Sequence, residues 1–172
     1  MKVYQAPNKV DLFEVAKKKS IFLAGGISGC QDWQSDMIEE LKKLDADGLV
    51  DLGGLVIFNP RRDNFDLTDE TATIEQIRWE HKCLEKCDIC SFFFPASESV
   101  QPITLYELGK HMNTQISVVG IQNGYLRAED VKIQLALDGN YCVIYDGYEE
   151  AIHEHARALA ITYENVRRNR GV

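Results

Sequence analysis

The residue type and setting that most plainly point to chemistry are those of Glu107, in Pro102-Ile103-Thr104-Leu105-Tyr106-Glu107-Leu108-Gly109. A carboxylate beside a ligand crevice suits attack on an anomeric carbon, giving a glycosyl-enzyme intermediate that water or another base then resolves. Glu107 falls within the first turn or two of a helix opening near Pro102, where proline is favoured and the helix dipole stabilises an anion. Its carboxylate is therefore expected to stay ionised. An acid early in a helix also simply complements the dipole, and on these residues alone both readings stand. Glu80 is the candidate second carboxyl. Its helix must run antiparallel to the strands, so counting back eight residues from Asp88 climbs ~12 Å towards the same rim. Glu80 is assigned the proton-handling role, with an exposed helical glutamate as the alternative, and Asp88, at the opposite end, a structural one.

Three loops supply candidate ligand contacts. Ala24-Gly25-Gly26-Ile27-Ser28-Gly29 resembles a phosphate cradle, although glycines here also serve a tight strand-to-helix turn. It is not GxGxxG, and the next strand ends in Asn59-Pro60-Arg61-Arg62 rather than an acid, which disfavours a dinucleotide site; a P-loop's Lys-Ser/Thr is missing too. Arg61 and Arg62 suit a phosphate or sugar, or are merely solvated. The third loop, Pro95 to Thr104, brings Ser99, Gln101 and Thr104. Trp33, Phe94 and Tyr106 are stacking candidates with core packing as the alternative. Cys83, Cys87 and Cys90 with His81 lack a second CxxC pair, so the five cysteines are read as reduced packing thiols and no metal is expected.

The elements that must position these residues alternate. Ser20–Ala24 reads as a buried strand, followed by a helix with Trp33, Met37, Ile38, Leu41 and Leu44 on one face. A strand at Leu55–Phe58 precedes a helix ending near Lys86, then a strand at Asp88–Phe94 and a helix at about Ile103–Met112. Strands at Ile116–Ile121 and Tyr141–Tyr145 flank a helix around Glu129–Leu137, and Tyr148–Arg168 forms a long closing helix. The pattern predicts a three-layer α/β/α sandwich on a five-stranded parallel sheet in flavodoxin-like order 2-1-3-4-5. Residues 1–18 are an N-terminal strand or arm. Ligands in such folds bind beyond the carboxyl ends of the strands, which selects Gly25 to Gln31, Asn59 to Asp69, Pro95 to Thr104 and the stretch after Ile121.

At 172 residues the chain is the size of one domain. A formal charge of −8 disfavours a surface gripping duplex nucleic acid. No apolar run approaches a bilayer span and the first residues lack a secretion signal, so a cytoplasmic protein is expected.

The ordered set Ile21-Phe22-Leu23-Ala24-Gly25-Gly26-Ile27-Ser28-Gly29, Asn59-Pro60-Arg61-Arg62, Glu80 eight before Asp88, and Tyr106-Glu107-Leu108-Gly109 resembles the nucleoside 2-deoxyribosyltransferase family, with its relatives that hydrolyse deoxynucleoside monophosphates. The resemblance spans residues 20 to about 121 and implies Glu107 as the nucleophile that displaces the base from deoxyribose. It implies that Glu80, where relatives commonly have Asp, assists the base. A residue six before the nucleophile contacts the sugar or its phosphate; here it is Gln101, where relatives commonly have Asp or Ser. The implied substrate is a small nucleoside or nucleotide, no cofactor is needed, and homo-oligomers are common. The ending Arg167-Arg168-Asn169-Arg170-Gly171-Val172 does not resemble the transferase tail that completes a partner's site. Cleavage of NAD or a signalling nucleotide is a second enzyme reading, distinguished by nicotinamide release. A non-catalytic nucleotide-binding module is a third, in which Glu107→Ala leaves ligand affinity intact.

Overall fold

The computed structural model describes residues 1–63 and 68–169. Residues 64–67 of the second candidate loop and 170–172 of the C-terminal run lie outside the described residues. Six strands, β1 (Lys2–Gln5), β2 (Lys19–Gly25), β3 (Leu55–Asn59), β4 (Ile89–Phe94), β5 (Ile116–Gln122) and β6 (Val143–Tyr145), alternate with six helices. These are α1 (Leu12–Val15), α2 (Trp33–Ala46), α3 (Glu70–Leu84), α4 (Pro102–His111), α5 (Ala128–Leu137) and α6 (Tyr148–Arg168).

All pairings are parallel and the order is β1-β3-β2-β4-β5-β6. The sheet therefore has six strands, which corrects the five-strand order expected. The addition is β1, drawn from the N-terminal segment and paired with β3 from Lys2↔Val56 to Gln5↔Asn59. A four-residue edge strand carries little periodicity of its own; its place is set by the neighbouring strand it finds.

Side chains alternate across each strand, so β2 and β4 feed two separate cores. Phe22, Ala24, Phe92 and Phe94 pack with Trp79 and Cys83 of α3, Leu108 of α4 and Val131 of α5. Ile21, Leu23 and Phe93 pack with Trp33, Met37 and Leu41 of α2 and Ala156 and Leu159 of α6. Both faces of β2 and β4 are covered, which is why these strands read as continuous apolar runs. At the amino end of the sheet Asp88 takes Lys19 Nζ at 2.8 Å and the Ser20 backbone N–H at 2.9 Å. Cys83, Cys87 and Cys90 are buried, with Cys87 and Cys90 sulfurs 3.4 Å apart. Helix α3 begins at Asp69, whose carboxylate accepts from the Thr71 and Ala72 N–H groups; that cap starts the helix a turn before its first apolar residue.

Candidate active site

A cavity of about 280 Å³ opens at the carboxyl ends of β2 and β4, between α3 and α4. Phe22, Ala24 and Gly25 floor it. Gly26, Ile27 and Ser28 form one wall, Arg62, Thr73, Gln76, Ile77 and Glu80 a second, and Ser99, Gln101, Pro102, Thr104 and Glu107 a third. Its size is at the lower end of small-ligand pockets.

Glu107 and Glu80 line the same cavity from facing helices. Glu107 is the sixth residue of α4, too far along for the dipole of the first turn to hold its charge. Burial pushes its carboxyl up to about 8 from an ordinary 4.5, and repulsion from Glu80 adds to the rise. This corrects the expectation that Glu107 stays ionised: local position in the helix is outweighed by desolvation against a second acid. Among the described residues, none donates a hydrogen bond to its carboxyl group. Glu80 is also raised by burial, but the Gln76 carboxamide and the Arg62 charge oppose the rise.

Glu80 sits in a built network. Gln76, one turn earlier on α3, donates from Nε2 to Glu80 Oε1 at 2.7 Å and to the Pro60 carbonyl at 2.7 Å. Its Oε1 accepts from Arg62 Nε at 2.6 Å, and Arg62 Nη2 reaches Glu75 at 3.0 Å. Gln76 therefore holds the acid and the guanidinium on one wall. The residues read from the sequence as ligand contacts do not include it, although its i, i+4 spacing from Glu80 was the available signal.

The two arginines of the Asn-Pro-Arg-Arg turn part company. Arg62 lines the cavity, whereas Arg61 turns away and pins the glycine loop from behind. Its Nε donates to Gln34 Oε1 at 2.9 Å and pairs with Asp32 at 3.0 Å, while Nη2 donates to the Gln31 carbonyl at 2.8 Å. Asn59 is buried and its Oδ1 caps the Arg61 N–H at 3.0 Å, outside the cavity lining. Trp33 is wholly buried against Phe93 and its indole N–H donates to the Gly26 carbonyl at 3.0 Å, so it is core rather than a stacking surface. Phe94 likewise packs in the core on Tyr125, while Tyr106 is exposed.

Gly25 and Gly26 line the cavity, but packing alone already requires them. A Cβ on Gly25 would lie 2.3 Å from the Phe93 carbonyl, and one on Gly26 2.7 Å from the Gln101 side chain. Gly29 lies outside the lining. Ser28, Ser99, Gln101 and Thr104 all line it. Thr104 is 5% exposed, and its hydroxyl has no protein partner among the described residues.

The arrangement offers an apolar floor, two glutamates of unequal surroundings and a hydroxyl, which suits acid–base and nucleophilic work on a small neutral group. No helix among the described residues is long and apolar enough to cross a membrane. No curated protein matches the chain. Among solved structures, an NAD(P)H:quinone oxidoreductase from Methanothermobacter marburgensis aligns with a TM-score of 0.41 and 12% identity, over 87% of this chain and 99% of that one; so distant a likeness carries no argument. A family model described as nucleoside 2-deoxyribosyltransferase like matches residues 18–125, more than half of the chain and all of the cavity wall. The chain belongs to the nucleoside 2-deoxyribosyltransferase-like family.

Proposed function

We propose that the cavity cleaves or exchanges the N-glycosidic bond of a (deoxy)nucleoside or (deoxy)nucleotide by a retaining mechanism. The observation that carries this is the facing pair of glutamates in one cavity, one braced by Gln76 and Arg62 and the other, among the described residues, without a donor. In the first step the Glu107 carboxylate attacks C1′ while the C1′–N bond breaks, and Glu80 delivers its proton to the departing base. The product is a glycosyl ester on Glu107. In the second step water, or the nitrogen of another base, attacks C1′ and gives its proton to Glu80, and Glu107 leaves as carboxylate.

The electrostatics suit the transition state better than the empty site. An ionised Glu107 is costly in the empty cavity, because burial strips it of water and a charged Glu80 repels it. Positive charge developing at C1′ removes that cost, so the attraction is largest at the transition state. Burial raises both carboxyls, so the pair holds a proton between them; attack by the Glu107 carboxylate requires that proton to sit on Glu80, which passes it to the departing base.

The test is incubation of wild type, Glu107→Ala and Glu80→Gln with deoxynucleosides and their monophosphates, with and without a second base, followed by intact-protein mass spectrometry. Base release by wild type, loss of it in both variants and a sugar adduct on Glu107 are expected. Folded wild type that releases and exchanges no base across the panel, or an adduct on Glu80 instead, overturns the assignment.

A further inference from the structure

Gln101 stands out on three observations, none of them part of the chemistry above. It is the one non-glycine residue among those described with a left-handed backbone, φ 51° and ψ 56°, a conformation disfavoured when a Cβ is present. It is 4% exposed, and its side chain is fully engaged with backbone from two different loops. Oε1 accepts from the Gly26 N–H at 3.0 Å and Nε2 donates to the Pro95 carbonyl at 2.9 Å. Its own backbone is held as well, with N–H donating to Ser99 Oγ at 3.1 Å and carbonyl accepting from Leu105 at 3.1 Å. A Cβ at Gly26 would lie 2.5 Å from the Cys30 sulfur and 2.7 Å from the Gln101 carboxamide carbon, so the carboxamide lies close against the Gly26 backbone.

We infer that Gln101 is a positioning residue, a clamp that ties the glycine loop to the Pro95 turn and so fixes both lips of the cavity relative to the Glu107 helix. This rests on the function proposed above. A residue at the first position before α4 ordinarily caps the helix with its side chain; Gln101 leaves that role unfilled and sends its carboxamide to the glycine loop and the Pro95 turn instead. The strained backbone is the geometry that lets it reach. Each end of the carboxamide holds one backbone group, and those two bonds make the clamp. In the resemblance read from the sequence that position touches the sugar or its phosphate, so the two roles predict different kinetics.

The decisive variants are Gln101→Ala and Gln101→Asn. Asparagine tolerates the left-handed backbone but is one methylene too short to span both loops, so it must behave like alanine. Amide exchange by NMR gives a readout that needs no substrate. In both variants the Gly26 N–H should exchange faster by about tenfold or more, as expected for loss of an ordinary buried hydrogen bond, and the Trp33 indole N–H, which holds the Gly26 carbonyl, should follow. Unchanged Gly26 exchange in either variant overturns the clamp. With turnover in hand, kcat should fall more than KM rises, since the loss is of alignment. A raised KM with kcat intact marks a direct substrate contact and also overturns it. If wild type turns over nothing, the functional reading fails, while the exchange measurement still decides the clamp.

Discussion

Replacing Glu107 by glutamine should make the ligand-free protein more stable, and by an amount that grows with pH. In the fold the Glu107 carboxyl titrates near 8 and in the unfolded chain near its ordinary 4.5. Between those values the native state holds a proton that the unfolded state has released, so stability falls as pH rises through this window and is level on either side. At 1.36 kcal/mol for each pH unit the ceiling is about 5 kcal/mol above pH 8. Glu107 is only half-buried, and water reaching a charged carboxylate brings the expected cost to about 1–3 kcal/mol. Glutamine mimics the protonated acid and never bears that cost.

For a chain of this size each kcal/mol moves Tm by roughly 2–4 °C, so Glu107→Gln should melt about 2–12 °C above wild type at pH 8.5 and within about 1 °C of it at pH 4.5. Calorimetric scans of both proteins from pH 4.5 to 8.5 measure the difference directly. Taking the difference removes the titrating groups that do not interact with Glu107, His155 among them, whereas the repulsion with Glu80 is part of the difference measured. A Tm difference that does not vary with pH, or a variant less stable than wild type at pH 8.5, refutes the claim that an ionised Glu107 is a strained feature of the empty cavity.

His155 supplies a second pH dependence, on the acid side. It is wholly buried, its Nε2 lies 3.0 Å from Ser91 Oγ, and burial depresses its pKa to about 3. The unfolded chain takes up the proton first, so stability should fall by up to about 1.4 kcal/mol per pH unit from pH 6.5 down to 3; urea titrations of wild type and His155→Gln should show a flatter slope in the variant. Gly25→Ala drives a Cβ into the Phe93 carbonyl and the Trp33 ring, and should cost about 1–3 kcal/mol in the same assay. Gly109→Ala, in a helix with open space around the added methyl, should instead gain roughly 0.5–1 kcal/mol. Gln76→Leu frees Glu80 from its donor and from Arg62, so the limb of the pH–rate profile that belongs to Glu80 should move to higher pH; an unmoved limb with reduced kcat would mean that Gln76 acts through packing alone.

What could be read from the sequence follows the range of the forces involved. The strands β2 and β4 and helices α2 and α6 announce themselves because a periodic apolar face is a local pattern. Edge strand β1 does not, since only Tyr4 is buried in it and its pairing depends on β3, some fifty residues away. The four loops at the carboxyl ends were selected by topology, and three of them form the cavity wall. Inside that wall, sequence proximity misleads. Arg61 and Arg62 are neighbours whose guanidinium groups go opposite ways, one to the back of the glycine loop and one to the cavity. Gln101 lines the cavity as the resemblance implies, but nothing local announces that its carboxamide also bonds the backbone of Pro95 and of a loop seventy-five residues away. The ionisation of Glu107 was misjudged for the same reason: the helix dipole is visible locally, the burial against α3 is not.

The same comparison indicates where function resides. Around the cavity, polar side chains that a ligand might have used are already answered by the protein: Gln76 by Glu80, Pro60 and Arg62, Gln101 by Gly26 and Pro95, and Arg61 by Gln34 and Asp32. Gly25 and Gly26 are fixed by what they touch. Packing and hydrogen bonding account for these residues, as they do in a sequence selected to fold. Glu107 is the exception, a desolvated acid facing another acid and, among the described residues, with no donor. A fold gains nothing from that placement, and leucine or glutamine would serve it better. The conflict is relieved by a positive charge arriving in the cavity, and an anomeric carbon losing its base carries one for as long as the bond takes to break.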